Sequence, residues 1–226
     1  MADQAGRRPR LTPERIAQAA VALADRDGIE ALTIRALADE LGTKPMTLYH
    51  HVDGKERLLD LMVDRIFAEM EAPREDLDWR EAIIARCRSV RAVLVSHPWS
   101  VPLLESRTAP GPELLRHHEA MLAALDRGGL PLPLMAHGYA ILDSFVFGFA
   151  LEEATLPAQG GEGMAEVAQD IAAAFDADAY PQLVRLTVDH VMKPGYSFGS
   201  SFDVGLGMIL DGLVAAAQRA ATPASA

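Results

Sequence analysis

Residues 32–51 read Leu32-Thr33-Ile34-Arg35-Ala36-Leu37-Ala38-Asp39-Glu40-Leu41-Gly42-Thr43-Lys44-Pro45-Met46-Thr47-Leu48-Tyr49-His50-His51. Thr33 suits the cap of a helix, because its hydroxyl accepts a bond from a first-turn amide. Ile34, Leu37, Ala38 and Leu41 then recur at helical spacing on one face. Gly42 supplies a turn that a β-carbon would penalise, and Ala38, four residues earlier, is small enough for two helices to cross closely. Thr43 is expected to cap a very short second helix, about 44 to 50, with Pro45 in its first turn and Leu48 pointing back into a small core. Such a helix-turn-helix places its second helix in the major groove of DNA. An αα-corner with a glycine turn in a purely structural protein has the same spacing.

The flanks extend the helical reading. Before the motif, Thr12 and Pro13 open a helix that Gly28 ends, with Ile16, Ala19, Ala20, Leu23 and Ala24 on one face. After it, Asp53 and Glu56 form a capping-box-like start to a helix running through Leu59, Met62, Val63, Ile66 and Met70. Beyond Pro73 the helices lengthen. Asp78 and Glu81 open one with Ile83, Cys87, Val90 and Leu94 on a face, ended by Pro98. A short turn near Trp99–Glu105 precedes the Pro110-Gly111-Pro112 break, and helices follow over 113–127 and 132–155. The glycines of 156–163 predict a loop, weaker helices fit 164–175 and 178–192, and a last helix runs from Phe202 to about Ala220 before a frayed tail.

Composition agrees with an all-α fold: 38 alanines and 28 leucines among 226 residues stand against 23 valines and isoleucines together. One cysteine, Cys87, excludes an intrachain disulfide framework and a CxxC metal site. No signal-peptide core follows Arg7, Arg8 and Arg10, and the most apolar run, Tyr139 to Leu151, is too short to span a bilayer and holds Asp143. The chain reads as soluble and cytoplasmic, with no membrane partner. Its net charge is −11, but residues 1–66 carry only −1, with 10 basic and 11 acidic side chains, and the acid lies in the remainder. That remainder would be held away from DNA, and the basic tail would approach phosphates or stay solvated.

The run Leu32-Thr33-Ile34-Arg35-x-Leu37-Ala38-x-x-Leu41-Gly42, followed by Thr47-Leu48-Tyr49-x-His51-Val52-x-x-Lys55-x-x-Leu58-Leu59, resembles the DNA-binding domain of the TetR family of transcriptional repressors. The resemblance covers about residues 12–60. It implies that Thr47, Tyr49 and Lys55 reach the DNA backbone, that Lys44, Pro45, Met46 and His50 face base edges, and that His51 is a further contact. By their chemistry Thr33 can bond a phosphate, and Arg35 can reach a phosphate or a base. Lys44 can donate to guanine, while Pro45 and Met46 can make only apolar contact, as with a thymine methyl. Adjacent His50 and His51 diverge on a helix, so no metal pair is expected there, and no cofactor is called for.

The rest is similar, more loosely, to the ligand-binding and dimerising domain of the tetracycline-repressor branch, through Ser96-His97, Gly148 to Glu153, and Phe202-Asp203-x-Gly205-Leu206 to Leu213. That branch holds its drug through magnesium. The positions of its metal-binding and drug-contacting residues fall here on Leu104, near Glu71 and on Arg86, which points to a different, moderately apolar effector. The candidate contacts are Arg86, Val90, Leu104, Met121, Ser144 and Glu152, with Arg86 alternatively an ion-pair partner. Met62, Trp99, Met121, Met135, Phe145, Phe147 and Phe149 are core residues or cavity walls. Helix 132–155 and the last helix are apolar enough to require cover, which a four-helix interface between two copies provides.

The expected organisation is a basic tail over 1–11, a helix-turn-helix domain over 12–54, a connecting helix over 55–72, a ligand-binding and dimerising domain over 73–220, and a tail over 221–226. The function this implies is a homodimeric repressor released from a near-palindromic double-stranded operator by a small molecule. A regulator controlled by a protein partner, or an activator, has the same sequence signature. An all-α enzyme does not: His117 and His118 are adjacent, Cys87 lies on an apolar face, and no DDxxD, HExxH or phosphate-binding glycine loop is present, so no catalytic residue is assigned.

Overall fold

The computed structural model describes residues 10–107, 109–156 and 178–221. The loop and helix expected within 157–177, the tail after 221, and Arg7 and Arg8 lie outside them. Among the described residues the regular elements are helical: α1 (Pro13–Asp27), α2 (Ile34–Glu40), α3 (Pro45–Tyr49), α4 (Gly54–Glu69), α5 (Trp79–Ser96), α6 (Ser100–Ser106), α7 (Pro112–Arg127), α8 (Leu132–Thr155), α9 (Pro181–Leu186) and α10 (Ser200–Ala221). They form two compact units, one of Met1–Ala72 with Ser96–Ala120, the other of Pro73–Val95 with Met121–Ala226.

In the first unit α1 packs on α2 and α4, α2 on α3, and α4 on α6. Thr12 caps α1 by accepting from the Arg15 amide (3.3 Å), and Thr33 caps α2 by accepting from the Ala36 amide (3.1 Å). Ile16, Leu37, Leu48, Leu58, Met62 and Ile66 are the fully buried core. The buried face of α1 is turned slightly from expectation, with Ala17 and Val21 inside and Ala19 half-buried. Thr43 is not the cap of α3: Lys44 holds that position without a side-chain bond, and the Thr43 amide donates to the Ala38 carbonyl (2.9 Å). Nor does Asp53 cap α4 through its side chain, and Glu56 turns outward to Arg107 instead of back to the helix start.

The carboxylates of α4 recur one turn apart. Arg107 bonds Glu56 (2.6 Å) and lies 3.0 Å from Asp60, while Asp64 accepts from the Glu113 amide (2.8 Å) at the start of α7. A side chain at Gly111 would collide with Asp64, so glycine there lets the carboxylate reach those amides. This explains why 96–120 groups with the first unit although residues 73–95 separate it in sequence.

In the second unit α5 is fastened to α8 and α10 by arginines. Arg80 pairs with Asp211, Arg88 with Asp203, Arg86 with Asp143 (2.6 Å) and Arg91 with Glu153 (2.6 Å). Glycines set the α8–α10 approach: a β-carbon on Gly138 would press on Leu213, and one on Gly205 would meet the Phe145 ring. Phe145 of α8 stacks on Phe202 and Phe149 meets it edge-on, with centroids 5.3 and 5.1 Å away. The helix expected over 178–192 is α9 followed by one π-helical turn, Thr187–Val191, in which the Met192 amide reaches the Thr187 carbonyl (2.9 Å). By length and composition α8 and α10 are each long and apolar enough to cross a membrane. The 13-residue bound drawn from the sequence counted only one uninterrupted apolar run, not the whole helix.

Candidate nucleic-acid interface and effector site

The turn of the helix-turn-helix is built as its sequence requires. Gly42 adopts φ +61°, its amide donates to Asp39 (3.1 Å), and the Thr43 amide reaches back to Ala38, which is fully buried. Leu48 and Val52 are buried and anchor α3 from beneath. Because α3 is so short, fixing Leu48 inward leaves the rest of the turn facing out: Met46 is 68% exposed and Tyr49 50%. Lys44, Pro45, Thr47, His50, His51 and Lys55 are also exposed, as are Thr33 and Arg35 at the start of α2. All ten residues expected at DNA therefore lie exposed, nine on the consecutive helices α2, α3 and α4 or at their caps and His51 in the turn between α3 and α4. Among the described residues, Arg35, Lys44 and Lys55 enter no ion pair, whereas Arg26 pairs with Glu40 at the far end of α2. Free cations on this stretch suit phosphate contact, where each neutralised charge releases counterions.

The effector candidates are not gathered in the same way. Arg86, Val90 and Met121 are buried in the second unit, Ser144 and Glu152 are exposed there, and Leu104 belongs to the first. The Met and aromatic set is likewise divided, with Met62 and Trp99 in the first unit. The second unit contains cavities of about 300 Å³, lined by Gln182, Arg185, Leu186, Asp189 and His190, and of about 240 Å³, lined by Arg88, Arg91, Ala92, Val95 and Glu153. Neither holds any of the six candidates.

Arg86 is the exceptional member. Its side chain is 1% exposed, Asp143 lies 2.6 Å from one terminal nitrogen, and its Nε is buried without a hydrogen-bond partner among the described residues. Burial opposes its charge, but Asp143 and the neighbouring Cys87 and Tyr139 hold it charged, above the ordinary arginine range. Burial also pushes the Cys87 thiol up to about 11 and, with Asp143, raises the Tyr139 phenol. The sequence missed Asp143 as a partner for Arg86 and Glu153 as one for Arg91. Glu153 stands beside the candidate Glu152, and only the helix phase decides which faces inward.

A capped helix, a glycine turn and a short second helix with an exposed polar face define a DNA-binding regulator of the helix-turn-helix class. Residues 16–62 match the family model for bacterial regulatory proteins of the tetR family, and residues 72–217 match that for the tetracyclin repressor-like C-terminal domain. The chain belongs to the TetR family, and it is a transcriptional regulator, not an enzyme.

It is 34% identical to the HTH-type transcriptional repressor DrrR1 of Streptomyces coeruleorubidus, over 95% of this chain and 82% of that one. It is 30% identical to the class A tetracycline repressor protein from transposon 1721 in Escherichia coli, over 90% and 91% of the two chains. Among solved structures, ActR from Streptomyces coelicolor in complex with actinorhodin has a TM-score of 0.77 at 32% identity, covering 92% of this chain and 99% of that chain.

Proposed function

We propose that this chain is a ligand-responsive repressor that binds a near-palindromic operator as a homodimer and is released by a small molecule. The observation that carries the DNA half is the exposed set Thr33, Arg35, Lys44, Pro45, Met46, Thr47, Tyr49, His50, His51 and Lys55 around a buried Leu48. In this reading residues 12–54 read DNA, 55–72 connect, and 73–220 bind the effector and dimerise. Two reading heads would meet half-sites about 34–36 Å apart.

Dimerisation is supported by the outer faces of α8 and α10. Ile141 and Leu151 on α8, and Val204 and Met208 on α10, are exposed apolar side chains, while among the described residues nothing lies within 4 Å of where a β-carbon would stand on Gly148, Gly207 or Gly212. Small residues on an apolar face let helices of a second copy approach closely, and covering these faces within a dimer makes them interface rather than membrane-facing surface. A soluble, cytoplasmic location goes with that assignment.

The effector half rests on Arg86. A buried guanidinium with an orphaned Nε accommodates a hydrogen-bond acceptor, so the effector we propose is largely apolar with a carbonyl, phenolate or carboxylate oxygen. ActR in complex with actinorhodin supports a small organic effector. Val90 and Met121 are the other candidates buried in the same unit as Arg86. Release then follows by linkage: shifting the population from 1:99 to 99:1 takes about a 10⁴-fold preference for the form that does not bind DNA.

Selection of bound fragments from random duplex DNA tests the reading, followed by titration of the best site. Recovery of a near-palindrome bound by two chains supports it, and no enrichment over random sequence overturns it.

A further inference from the structure

The first unit holds a cavity of about 780 Å³ between α1, α4 and the start of α7. Small-molecule sites commonly span roughly 300–1,000 Å³. Helical spacing builds its walls: Arg57, Leu61, Asp64 and Ala68 share one stripe of α4, and Pro13 and Ala17 lie one turn apart on α1. Ala17 and Ala68 put only methyl groups into walls that larger side chains would fill. Pro112 and Glu113 close one end, held there because the Glu113 amide donates to Asp64 (2.8 Å). Every lining residue belongs to the first unit, whereas Arg86 belongs to the second.

Three arginines and three carboxylates line the cavity, but they are not equally available. Asp64 is taken by the amides of Glu113 and Leu114. Glu113 pairs with Arg116 (2.6 Å), and Glu14 is held below the usual carboxylate range by its own amide and the Thr12 hydroxyl. Arg65 pairs with Glu69 (3.1 Å). Arg57, exposed at the start of α4, enters no ion pair or hydrogen bond among the described residues. A cationic ligand would have to strip a carboxylate of its present donor. An anionic one finds a guanidinium ready to bind it through two nitrogens, beside walls of leucine, alanine and proline.

We propose that this cavity is a ligand site of the DNA-reading unit, taking a small organic anion with its carboxylate on Arg57 and an apolar body against Ala17, Leu61 and Ala68. Its occupant touches both α1, part of the reading head, and α4, the connecting helix. Its contacts therefore differ whenever the angle between these helices differs, and that difference couples its binding to operator affinity. The coupling rests on the DNA-reading assignment above; the binding does not. Linkage makes the coupling reciprocal, so the operator changes the anion's affinity by the same factor.

The test titrates the full chain calorimetrically with 2-naphthoate and, as the uncharged counterpart, 2-naphthamide. Naphthoate should bind about tenfold more tightly than the amide, the worth of one charged hydrogen bond, and Arg57→Gln should erase that difference. Ala68→Trp, at an exposed position of α4, should abolish binding of both compounds. The methyl resonances of Ala17 and Ala68 in the parent, which require no variant to fold, should shift with naphthoate. No saturable binding, equal binding in parent and both variants, or shifts confined to the second unit each overturn the proposal. Operator affinity is then measured with and without saturating naphthoate. A change of about fivefold or more in the parent, absent in Ala68→Trp, supports the coupling, and equal affinities overturn it. If selection recovers no operator, the DNA assignment fails by itself, and calorimetry still judges the site.

Discussion

Arg91 meets Glu153 with two nitrogens, at 2.8 and 2.6 Å, while its guanidinium lies over the rings of Phe149 and Phe202, 5.1 and 4.8 Å from their centroids. A further nitrogen donates to the Gly199 carbonyl (3.3 Å), so one side chain ties α5 to α8 and to the start of α10. Glu153 is 5% exposed, so removing Arg91 would leave its carboxylate buried without this partner.

Replacing Arg91 with methionine should therefore cost more than losing the pair itself, because it strands a buried carboxylate. We expect a loss of about 2–4 kcal/mol in urea unfolding, and recovery of much of it when Glu153→Leu is added. A double variant no more stable than Arg91→Met would contradict this account.

Gly42 holds φ +61° at the turn of the reading head. Gly42→Ala should lower stability by about 1–2 kcal/mol, because an L-residue is strained in that conformation. A melting temperature equal to the parent's would show that the turn relaxes.

Tyr49→Phe and Lys55→Ala should weaken binding to specific and random DNA alike, and Lys55→Ala should reduce the slope of log affinity on log salt by about one. Lys44→Ala should instead lose about 1–3 kcal/mol only at the preferred site, if Lys44 reads guanine. Competition titrations across salt concentrations separate the two behaviours; equal losses on both DNAs for Lys44 would assign it to the backbone.

The Cys87 thiol, raised to about 11 by burial, gives stability a signature at alkaline pH. The unfolded chain releases this proton near pH 9, and the folded chain holds it until about 11. Between those values the folded state binds more protons, so stability falls as pH rises, by on the order of 2–3 kcal/mol. Denaturation curves at pH 8 and pH 10.5 for parent and Cys87→Ala should show the steeper fall in the parent, and parallel falls would refute the assignment.

The outward glycines offer a test of the dimer. Gly148→Trp and Gly207→Trp place bulk where, among the described residues, nothing stands within 4 Å of the new β-carbon, so helicity should be unchanged while sedimentation shifts toward monomer. Dimers persisting in both variants would move the interface elsewhere.

Local chemistry makes the head legible in the sequence. Thr12, Thr33, Gly28 and Gly42 are bound by short-range rules, since a cap hydroxyl reaches three residues on and a positive φ concerns one residue. The same locality misleads at Thr43, Asp53 and Glu56: each has a plausible near partner in sequence, but Glu56 is taken by Arg107, and the Thr43 amide turns to Ala38. The helix-turn-helix, the exposed faces of α2 and α3, and the all-α architecture were thus determined by the sequence alone.

Which charges meet was decided only by the tertiary structure. Glu56 stands 51 positions from Arg107, and Arg91 stands 62 from Glu153. No spacing rule links such residues, and their pairing depends on how whole helices are phased against one another. Helix phase chose Glu153 over Glu152, set Arg86 inside against Asp143, and brought residues 96–120 back to the first unit. Periodicity names the face that is buried, but the partner across it is a property of the packed chain.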